Sequence, residues 1–267
     1  CSTCGRTPAC TDLIQREGIA RVVVAAKDPN PAHAGAGFRI LRKAGIEVAQ
    51  GLLAKESAAL NRAFNKWIVA RRPWVTAKIA LALDGSIAPR DGDDPWLTSS
   101  AARKQAHRLR LEADAIVVGG ETARRDNPRL TVRLGREGAG KVQPMRIVWS
   151  RRSEIDPSLH LFSDAHKART RIAWGGTLDG MLSGLGREGV THVLLEGGGK
   201  VLGEAFREGV VDEVAFFLAP VMLGRGTAVP ALSLPEIESP VEFELNGAVF
   251  TKLGPDLLCQ ARVKRKG

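Results

Sequence analysis

The chain has 267 residues, of which 44% are hydrophobic and 25% charged, the ordinary balance of a globular protein with one large domain or two modest ones. Its formal net charge of +10 favours anionic partners, either phosphorylated small molecules or nucleic acid, although an arginine-rich proteome would give the same balance. Only 5% of the residues are aromatic and tyrosine is absent, which argues against a stacking surface for single-stranded nucleic acid.

The start of the chain bears on where the protein resides. No stretch reaches the roughly 18 apolar residues that a membrane span requires. The first residues also lack the apolar run of a signal peptide. We therefore expect a cytoplasmic protein. Because the chain begins with Cys1 rather than methionine, we also expect residues upstream of it.

The cysteines cluster at this same end, since three of the four lie within the first ten residues. A disulfide framework would spread its pairs along the chain, so the cluster indicates part of a metal site or reduced thiols. Cys1 and Cys10 supply two thiolates for zinc, but a deaminase site also requires a third protein ligand and a carboxylate that shuttles protons. None of the five histidines begins a His-x-Glu triplet. We therefore expect no complete deaminase site in this chain.

Short apolar runs alternate with helical patterns in the first 70 residues. Strands interleaved with helices predict parallel pairing in an α/β sheet. The pattern stops at Arg71-Arg72-Pro73, because proline disfavours a helical conformation in the residue before it. We therefore place a domain boundary there, between residues 1–70 and 71–267. The predicted helices of the first domain cover 11–18, 35–44 and about 58–67, and the strands cover 21–26 and 46–50.

The second domain continues the alternation. Thr98, Ser99 and Ser100 are good N-cap residues and open a helix whose apolar stripe includes Ala102 and Leu109. Strands are predicted at 74–83, 115–118, 145–149, 171–174, 191–195, 214–218, 241–244 and 257–263.

Two of these strands run directly into glycines that open helices. One leads to Gly119-Gly120-Glu121-Thr122, and the other to Glu196-Gly197-Gly198-Gly199. Glycines let the backbone approach a phosphate, while free N–H groups at a helix start favour the anion. Two such turns at strand ends predict a site in which each turn binds one end of a dinucleotide. The alternative is that each is a plain strand-to-helix turn. Asp126 either accepts a hydrogen bond from a ribose hydroxyl or caps a turn ahead of Pro128.

Basic residues form a second candidate feature. Arg103, His107 and Arg110 share one face of the helix that Thr98 opens, and Arg133 follows a short apolar run. Such a face is usually solvated. The alternative is that Arg110 and Arg133 bind a substrate phosphate, which suits the geometry of guanidinium groups.

Lys78 and Asp84 bracket an apolar strand, and α/β sheets bind ligands at the carboxyl ends of their strands. Lys78 is a candidate for protonating a carbonyl oxygen. The alternative is an edge lysine and a turn aspartate.

In this order the motifs resemble the bifunctional riboflavin-biosynthesis deaminase–reductase family. The segment 1–10 resembles its second zinc half-site, with Ala9 where proline is commoner, and 28–37 is similar to the carboxyl-terminal half of its deaminase. Five further segments of this chain resemble sequence landmarks of the family's reductase, in the same order: 78–85, 96–99, 119–122, 126–128 and 196–199. The resemblance implies an α/β fold, with a dihydrofolate-reductase-like reductase domain preceded by the carboxyl-terminal part of a cytidine-deaminase-like domain.

The resemblance also implies an activity, the NADPH-dependent reduction of the ribosyl group of 5-amino-6-(5-phosphoribosylamino)uracil to a ribityl chain. Opening of the sugar ring exposes an electrophilic carbon that accepts hydride from NADPH. Glu196 is expected to orient the sugar hydroxyls, Arg110 and Arg133 to hold the phosphate, and Lys78 or Asp84 to donate the proton. The expected partner is this phosphorylated pyrimidine, with no nucleic acid and no membrane, and the chain is expected to form a homo-oligomer.

Site residues follow from the same resemblance. Cys1 and Cys10 would ligate zinc, with the partner histidine and catalytic glutamate upstream. Ser150 and Arg151 fall where the family handles the adenosine-side phosphate, and an arginine there favours NADPH over NADH. The remaining cofactor contacts are Ala80, Trp96, Thr122, Asp126, Gly198, Gly199, Lys200, Val201, Leu202, Gly203 and Glu204, and the substrate contacts are Asp94, Arg110, Leu130, Arg133 and Glu196.

Two other interpretations remain open at this point. One is a diverged pteridine or dihydrofolate-type reductase on the same fold. The other is a basic nucleic-acid-binding protein without catalysis, whose affinity would fall steeply with salt.

Overall fold

The computed structural model describes residues 2–4, 7–87, 96–151, 155–224, 229–231 and 243–265. The chain divides into two compact units, Cys1–Arg72 and Pro73–Gly267. Among the described residues, no helix has the length and apolarity that a bilayer crossing demands.

The described residues of the first unit form two parallel strands and four helices. Its core is small, since the buried residues among those described are Ala9, Thr11, Leu41 and Ile46. The parallel pairing predicted for its strands is confirmed, with Arg21 opposite Glu47. In chain order the elements are α1 (Cys10–Arg16), β1 (Arg21–Val24), α2 (Ala36–Lys43), β2 (Glu47–Gln50), α3 (Ala54–Leu60) and α4 (Arg62–Ala70).

The helix predicted around 58–67 is two helices that meet at Asn61. The Asn61 backbone leaves the helical region, with φ −100° and ψ 19°. Its side-chain amide donates a hydrogen bond to the carbonyl of Ser57, 2.9 Å away. Asparagine competes in this way with the backbone for hydrogen bonds, which favours the end of a helix over its interior. The apolar spacing predicted the helical conformation but missed the break.

The second unit is built on an eight-stranded mixed sheet with helices on both faces. Its elements are β3 (Trp74–Ala82), β4 (Ser86–Ile87), α5 (Ser100–Glu112), β5 (Ala115–Gly119), α6 (Gly120–Asp126), β6 (Met145–Ser150), α7 (His160–Ser163), β7 (Thr170–Trp174), α8 (Leu178–Arg187), β8 (His192–Leu195), α9 (Gly199–Arg207), β9 (Glu213–Ala219), β10 (Val229–Pro230), β11 (Phe243–Leu253) and β12 (Asp256–Arg265).

The strand order in this sheet is β11-β12-β9-β3-β8-β5-β6-β7. The six strands from β9 to β7 run parallel, and β12 and β11 are antiparallel additions at one side. Parallel strands are covered on both faces, so apolar residues predominate in the central ones. All five residues of β5 and all four of β8 are buried accordingly.

Two apolar clusters form the core, one on each face of the sheet. Helices α8 and α9 pack on one face through Leu178, Leu182 and Phe206. On the other face α5 and α7 contribute Leu109 and Leu161. The sequence prediction of the α5 start is confirmed, because the hydroxyl of its N-cap residue Ser99 accepts a hydrogen bond from the backbone N–H of Ala102 at 3.4 Å. The layers hold the carboxyl ends of β3, β8 and β5 side by side.

The last two strands are longer than the sequence predicts. Only 243–244 of the predicted strand at 241–244 lie within the described residues, but β11 continues to Leu253. Its middle residues are exposed, so no buried alternation marks it. It also contains Asn246-Gly247, a dipeptide typical of hairpin turns. Here Gly247 has a φ of 64° beside a register shift between Asn246 and Val249, so the dipeptide forms a bulge within the strand.

Candidate active site

A cavity of about 660 Å³ opens at the carboxyl ends of β3, β5 and β8. Its volume lies in the range of small-molecule and cofactor pockets. Lysine and arginine side chains outnumber carboxylates along the described wall, which suits an anionic ligand. Of the residues predicted for the site, those on the wall are Lys78, Ala80, Trp96, Arg110, Thr122, Asp126, Leu130, Arg133, Glu196, Gly198, Gly199, Lys200, Val201 and Leu202.

The two glycine turns lie next to each other because β5 and β8 are neighbours in the sheet. The backbone N–H of Gly198 donates to the hydroxyl of Thr122 at 3.2 Å, which joins the starts of α9 and α6. The N-cap residue of α9, Gly198, has no side chain that could cap the helix. The backbone N–H of Val201 donates to the carbonyl of Gly198 at 3.0 Å, so among the described contacts the N–H groups of Gly199 and Lys200 are left for solvent or ligand. They present the positive end of the helix dipole to an anion.

Close packing accounts for the glycines of these turns. A Cβ on Gly197 would lie 2.7 Å from the Cβ of Val201, and a Cβ on Gly119 would lie 2.7 Å from the Cγ2 of the same valine. Both distances are below any that real side chains adopt. Val201 is in the first turn of α9, so the glycines let this helix start pack directly on the strand ends. Close packing therefore requires glycine at these two positions, in addition to any need for a ligand to approach the backbone.

This packing makes a prediction at Gly119, whose φ of −77° any residue can adopt. Gly119→Ala is expected to displace the start of α9 and destabilise the protein by about 1–3 kcal/mol through overpacking. Val201→Ala removes the clashing methyl group, so the double variant is expected to recover most of the loss. Denaturant unfolding measures the effect. Failure of the double variant to recover stability would contradict this explanation.

Glu196 and Arg110 form a buried ion pair at the centre of the cavity wall. Arg110 donates to the two carboxylate oxygens of Glu196, from Nε at 2.5 Å and from Nη2 at 2.8 Å. The side chains are only 9% and 14% exposed, respectively. Burial opposes ionisation, but the charge and hydrogen bonds of Arg110 outweigh it and hold the pKa of Glu196 well below its ordinary value. Glu196 is therefore a carboxylate that accepts hydrogen bonds and does not donate a proton.

Residues 129–133, which we call the 129–133 segment, lie beside this pair, and Arg129, Leu130 and Arg133 line the cavity. Arg110 donates to the carbonyl of Thr131 at 3.1 Å. Leu130 is buried and has a φ of 49°. Arg133 donates from Nη1 to the hydroxyl of Thr131 at 3.0 Å. Arg133 is exposed overall. Partial desolvation and the nearby charges of Arg110 and Arg129 lower the pKa of Arg133, so the cluster carries excess positive charge that an incoming phosphate would relieve.

His107 belongs to the same cluster, although the sequence interpretation assigned it no role. Its Nδ1 atom accepts a hydrogen bond from the backbone N–H of Arg133 at 3.3 Å. Burial, followed by the charges of Arg110 and Arg133, lowers the pKa of His107 to about 4. The imidazole is therefore neutral at physiological pH and able to accept that bond.

The low pKa of His107 predicts how stability depends on pH. In the unfolded chain this histidine binds a proton near pH 6.5, but in the folded protein only near pH 4. Between these values the unfolded state binds more protons, so the free energy of unfolding must fall as the pH falls from 6.5 to 4. In His107→Gln that fall is expected to be smaller. Urea unfolding at several pH values measures it, and equal slopes for the two proteins would contradict the assignment.

Trp96 lies at the edge of the cavity and stacks with Arg103, whose guanidinium carbon is 5.0 Å from the ring centre. The same arginine donates to the carbonyl of Thr98 at 2.6 Å. The basic face predicted for α5 is therefore not simply solvated, since Arg103 packs on an aromatic ring and Arg110 is buried. Asp94, the other residue predicted in this region, lies outside the described residues.

Asp84 does not lie among the described residues that line the cavity. Its carboxylate accepts hydrogen bonds from the backbone N–H groups of Leu223, Gly224 and Ser86. Although desolvation acts against it, these hydrogen bonds lower the pKa of Asp84. A carboxylate that braces a turn is the alternative that the sequence left open. The structure therefore gives no support to Asp84 as a proton donor.

Four predicted cofactor contacts lie beyond the described wall, towards the end of β6 and along α9. Ser150 is buried, and its hydroxyl oxygen would be 2.5 Å from a Cβ on Gly120. Arg151 is largely exposed and is 3.5 Å from the carboxylate of Glu204. The same carboxylate accepts a hydrogen bond from Nε of Arg207 at 3.0 Å. Gly203 is buried within α9. Contacts of these residues with a cofactor stay a prediction.

The predicted zinc ligands cannot be compared as a pair, because Cys1 lies outside the described residues. Cys10 is exposed at the start of α1. Among the described residues, no group of three or more histidine, cysteine, aspartate or glutamate side chains is placed to hold a metal ion. The described part of the first unit does not by itself form a zinc site, and zinc binding stays a prediction.

Comparisons with known proteins agree over most of the chain. Residues 73–259 match the sequence model of a family described as the RibD C-terminal domain. The riboflavin biosynthesis protein RibD of Aquifex aeolicus is 36% identical, over 97% of this chain and 77% of that protein. A solved structure of Acinetobacter baumannii RibD has a TM-score of 0.86 at 28% identity, over 99% of this chain and 78% of that chain. A structure from Thermotoga maritima, described as a diaminohydroxyphosphoribosylaminopyrimidine deaminase/5-amino-6-(5-phosphoribosylamino)uracil reductase, has a TM-score of 0.78 at 30% identity, over 98% and 76% of the two chains.

Proposed function

The chain belongs to the family of the RibD C-terminal domain, and on this premise we propose that it is an NADPH-dependent 5-amino-6-(5-phosphoribosylamino)uracil reductase of riboflavin biosynthesis. The predicted family, the mixed α/β fold and the reductase assignment are confirmed by these matches. The choice of NADPH over NADH, the deaminase origin of the first unit and the individual site residues are proposals.

One observation supports the proposed reaction more than any other. A single cavity joins a helix start suited to the phosphates of a dinucleotide with a cluster suited to a phosphorylated sugar. The two parts are consecutive in sequence, because Glu196 immediately precedes Gly197-Gly198-Gly199. A cofactor bound at the start of α9 and a sugar bound at Glu196 would therefore be neighbours, as hydride transfer requires.

The residues present fit a dinucleotide on the α9 side. The N–H groups at the start of α9 would bind its phosphates, and Thr122 and Trp96 would flank it. When bound, NADPH supplies the hydride. Arg151 would favour NADPH through its 2′-phosphate, because a guanidinium makes charge-assisted hydrogen bonds to phosphate. The described contacts of Arg151 are with the carboxylate of Glu204 and with the ring of Trp149, whose centre is 5.8 Å from the guanidinium carbon. The Arg151 side chain is otherwise exposed to solvent.

The residues of the other side would bind and orient the substrate. Arg133, with a lowered pKa in a positively charged cluster, would bind its phosphate. Arg110 is already engaged with Glu196, so its main effect would be to keep that carboxylate ionised and fixed. Glu196 would then accept hydrogen bonds from the sugar hydroxyls. These fixed contacts would hold the electrophilic carbon against the cofactor, which is the main way such an enzyme lowers its barrier.

Lys78 would supply the proton that the reduced sugar needs. It lies on the cavity wall, and its charge contributes to the lowered pKa of Glu196, so the two groups are close in space. Its ammonium nitrogen is 5.8 Å from the centre of the Phe217 ring. A lysine can pass a proton to an oxygen or nitrogen atom as that atom gains negative charge.

The decisive assay mixes purified protein with NADPH and the phosphorylated pyrimidine and follows the absorbance of the reduced cofactor. Substrate-dependent oxidation of NADPH, with slower oxidation of NADH, is expected. Absence of substrate-dependent oxidation with either nucleotide would contradict the reductase proposal. The family match disfavours the pteridine-type and nucleic-acid-binding alternatives. A cytoplasmic location and a homo-oligomeric state stay predictions.

A further inference from the structure

The 129–133 segment belongs to no helix or strand, yet side chains from outside it hold its backbone closely. Segments without secondary structure must satisfy their backbone N–H and C=O groups in some other way. Here α5 approaches from one side and the residues leading into β6 approach from the other. Both sets of contacts were absent from the sequence interpretation.

From the α5 side, two residues that lie one helical turn apart each form a hydrogen bond with the backbone of the segment. Arg110 donates to the carbonyl of Thr131 at 3.1 Å. His107 accepts the backbone N–H of Arg133 at 3.3 Å. The acceptor atom must be unprotonated, which agrees with the lowered pKa of His107. The imidazole thus fixes the backbone of the residue whose guanidinium faces the cavity.

From the β6 side, Gln143 contacts Val132 as a neighbouring strand would. Its side-chain oxygen accepts the N–H of Val132 at 2.7 Å, and its side-chain nitrogen donates to the carbonyl of the same residue at 3.3 Å. Three residues after Gln143, Arg146 donates to the carbonyl of Arg129 at 3.0 Å. Arg146 is itself buried and paired with Asp164, so this contact is firmly anchored.

The segment needs such support because its backbone is strained. Leu130 has a φ of 49°, a conformation that is unfavourable for a bulky residue and persists only when its surroundings enforce it. If the contacts at Val132 and Arg133 were lost, the segment would relax and the Arg133 side chain would move. A displacement of about 1 Å in a binding group can cost on the order of a hundredfold in rate.

We propose that His107 and Gln143 are positioning residues that fix the backbone of Val132 and Arg133 and so aim Arg133 at the phosphate of the substrate. The proposal rests on the proposed role of Arg133 in substrate binding. Neither residue needs to touch the substrate. Their effect is on the KM of the phosphorylated pyrimidine, since the nucleotide side of the cavity is built from other elements.

The test compares His107→Leu with His107→Gln. Leucine removes the acceptor, so the KM of the pyrimidine substrate is expected to rise about tenfold, the effect of losing roughly one hydrogen bond. The KM of NADPH is expected to stay within about twofold. Glutamine can accept the same N–H group, so His107→Gln is expected to stay within about threefold of the parent protein. Gln105→Leu, on the same helix but off the cavity wall, is the control and is expected to match the parent.

Gln143→Leu provides an independent variant and is expected to raise the KM of the pyrimidine in the same way. An unchanged KM in both leucine variants, a parallel rise in the KM of NADPH, or a glutamine variant as impaired as His107→Leu would overturn the proposal. Amide hydrogen exchange keeps it testable if the parent protein proves inactive on this substrate. Exchange at Val132 and Arg133 is expected to be slow in the parent and much faster in His107→Leu and Gln143→Leu. Fast exchange already in the parent protein would overturn the positioning role itself, whereas slow exchange in an inactive parent would count against the proposed function alone.

Discussion

Glu196→Gln is expected to lower kcat/KM for the pyrimidine by about ten- to a hundredfold and to destabilise the protein by about 3–5 kcal/mol. The first figure follows from the loss of charge-assisted hydrogen bonds to the sugar, each worth about 1.5–3 kcal/mol. The second follows because the change leaves the buried charge of Arg110 without its partner. Steady-state kinetics and denaturant unfolding measure the two effects.

Glu137→Gln is the matched control for this variant. Glu137 also pairs with an arginine, Arg108, at 2.6 Å, but the two side chains are 39% and 44% exposed. Exposed pairs contribute little to stability because solvent screens them, so this variant should keep both its stability and its activity. If the two glutamine variants lost the same small amount of stability, Glu196 would not be the buried, paired carboxylate described above.

Arg133→Ala is expected to raise the KM of the phosphorylated pyrimidine by about ten- to a hundredfold, the effect of removing one charge-assisted phosphate contact. The KM of NADPH is expected to change little, because Arg133 lies on the substrate side of the cavity. The KM of the pyrimidine in Arg133→Lys should lie between the values for the parent protein and for Arg133→Ala, since lysine keeps the charge but loses the paired donors of the guanidinium group. Initial rates with each reactant varied in turn measure the separate constants.

The control for Arg133 is Arg136→Ala, an exposed arginine three residues further along the chain, in a short 3-10 helix. It changes net charge by the same amount, so it separates a specific contact from general electrostatic attraction of the substrate. Equal rises in KM for the two alanine variants would mean that Arg133 acts only through the overall field of the protein.

Much of the fold follows from local patterns in the sequence. Largely apolar runs predicted strands at 115–118 and 191–195, and the observed strands β5 and β8 are buried throughout. Ser99 predicted the start of α5 because an N-cap is a contact between near neighbours in sequence. β11 was largely missed, because an exposed strand at the side of a sheet has no apolar alternation and Asn246-Gly247 favours a turn.

In the site, too, features that depend on contacts between near neighbours in sequence could be predicted, and contacts between distant residues could not. Glycine turns at strand ends are local, so both could be found, and the sheet then places them side by side. The Arg110–Glu196 pair joins residues 86 positions apart, and nothing near either residue predicts it. The same is true of His107 with Arg133, 26 positions apart. Asp84 shows where a local pattern leaves two interpretations open, because an aspartate before glycine serves a turn as readily as a proton transfer.

A structure of the protein with NADPH and a sugar phosphate bound tests the central claim most directly. We expect the nucleotide phosphates against the N–H groups of Gly199 and Lys200, the nicotinamide ring beside Glu196, and the sugar phosphate at Arg133. A nucleotide bound elsewhere, with no phosphate at the start of α9, would contradict the account.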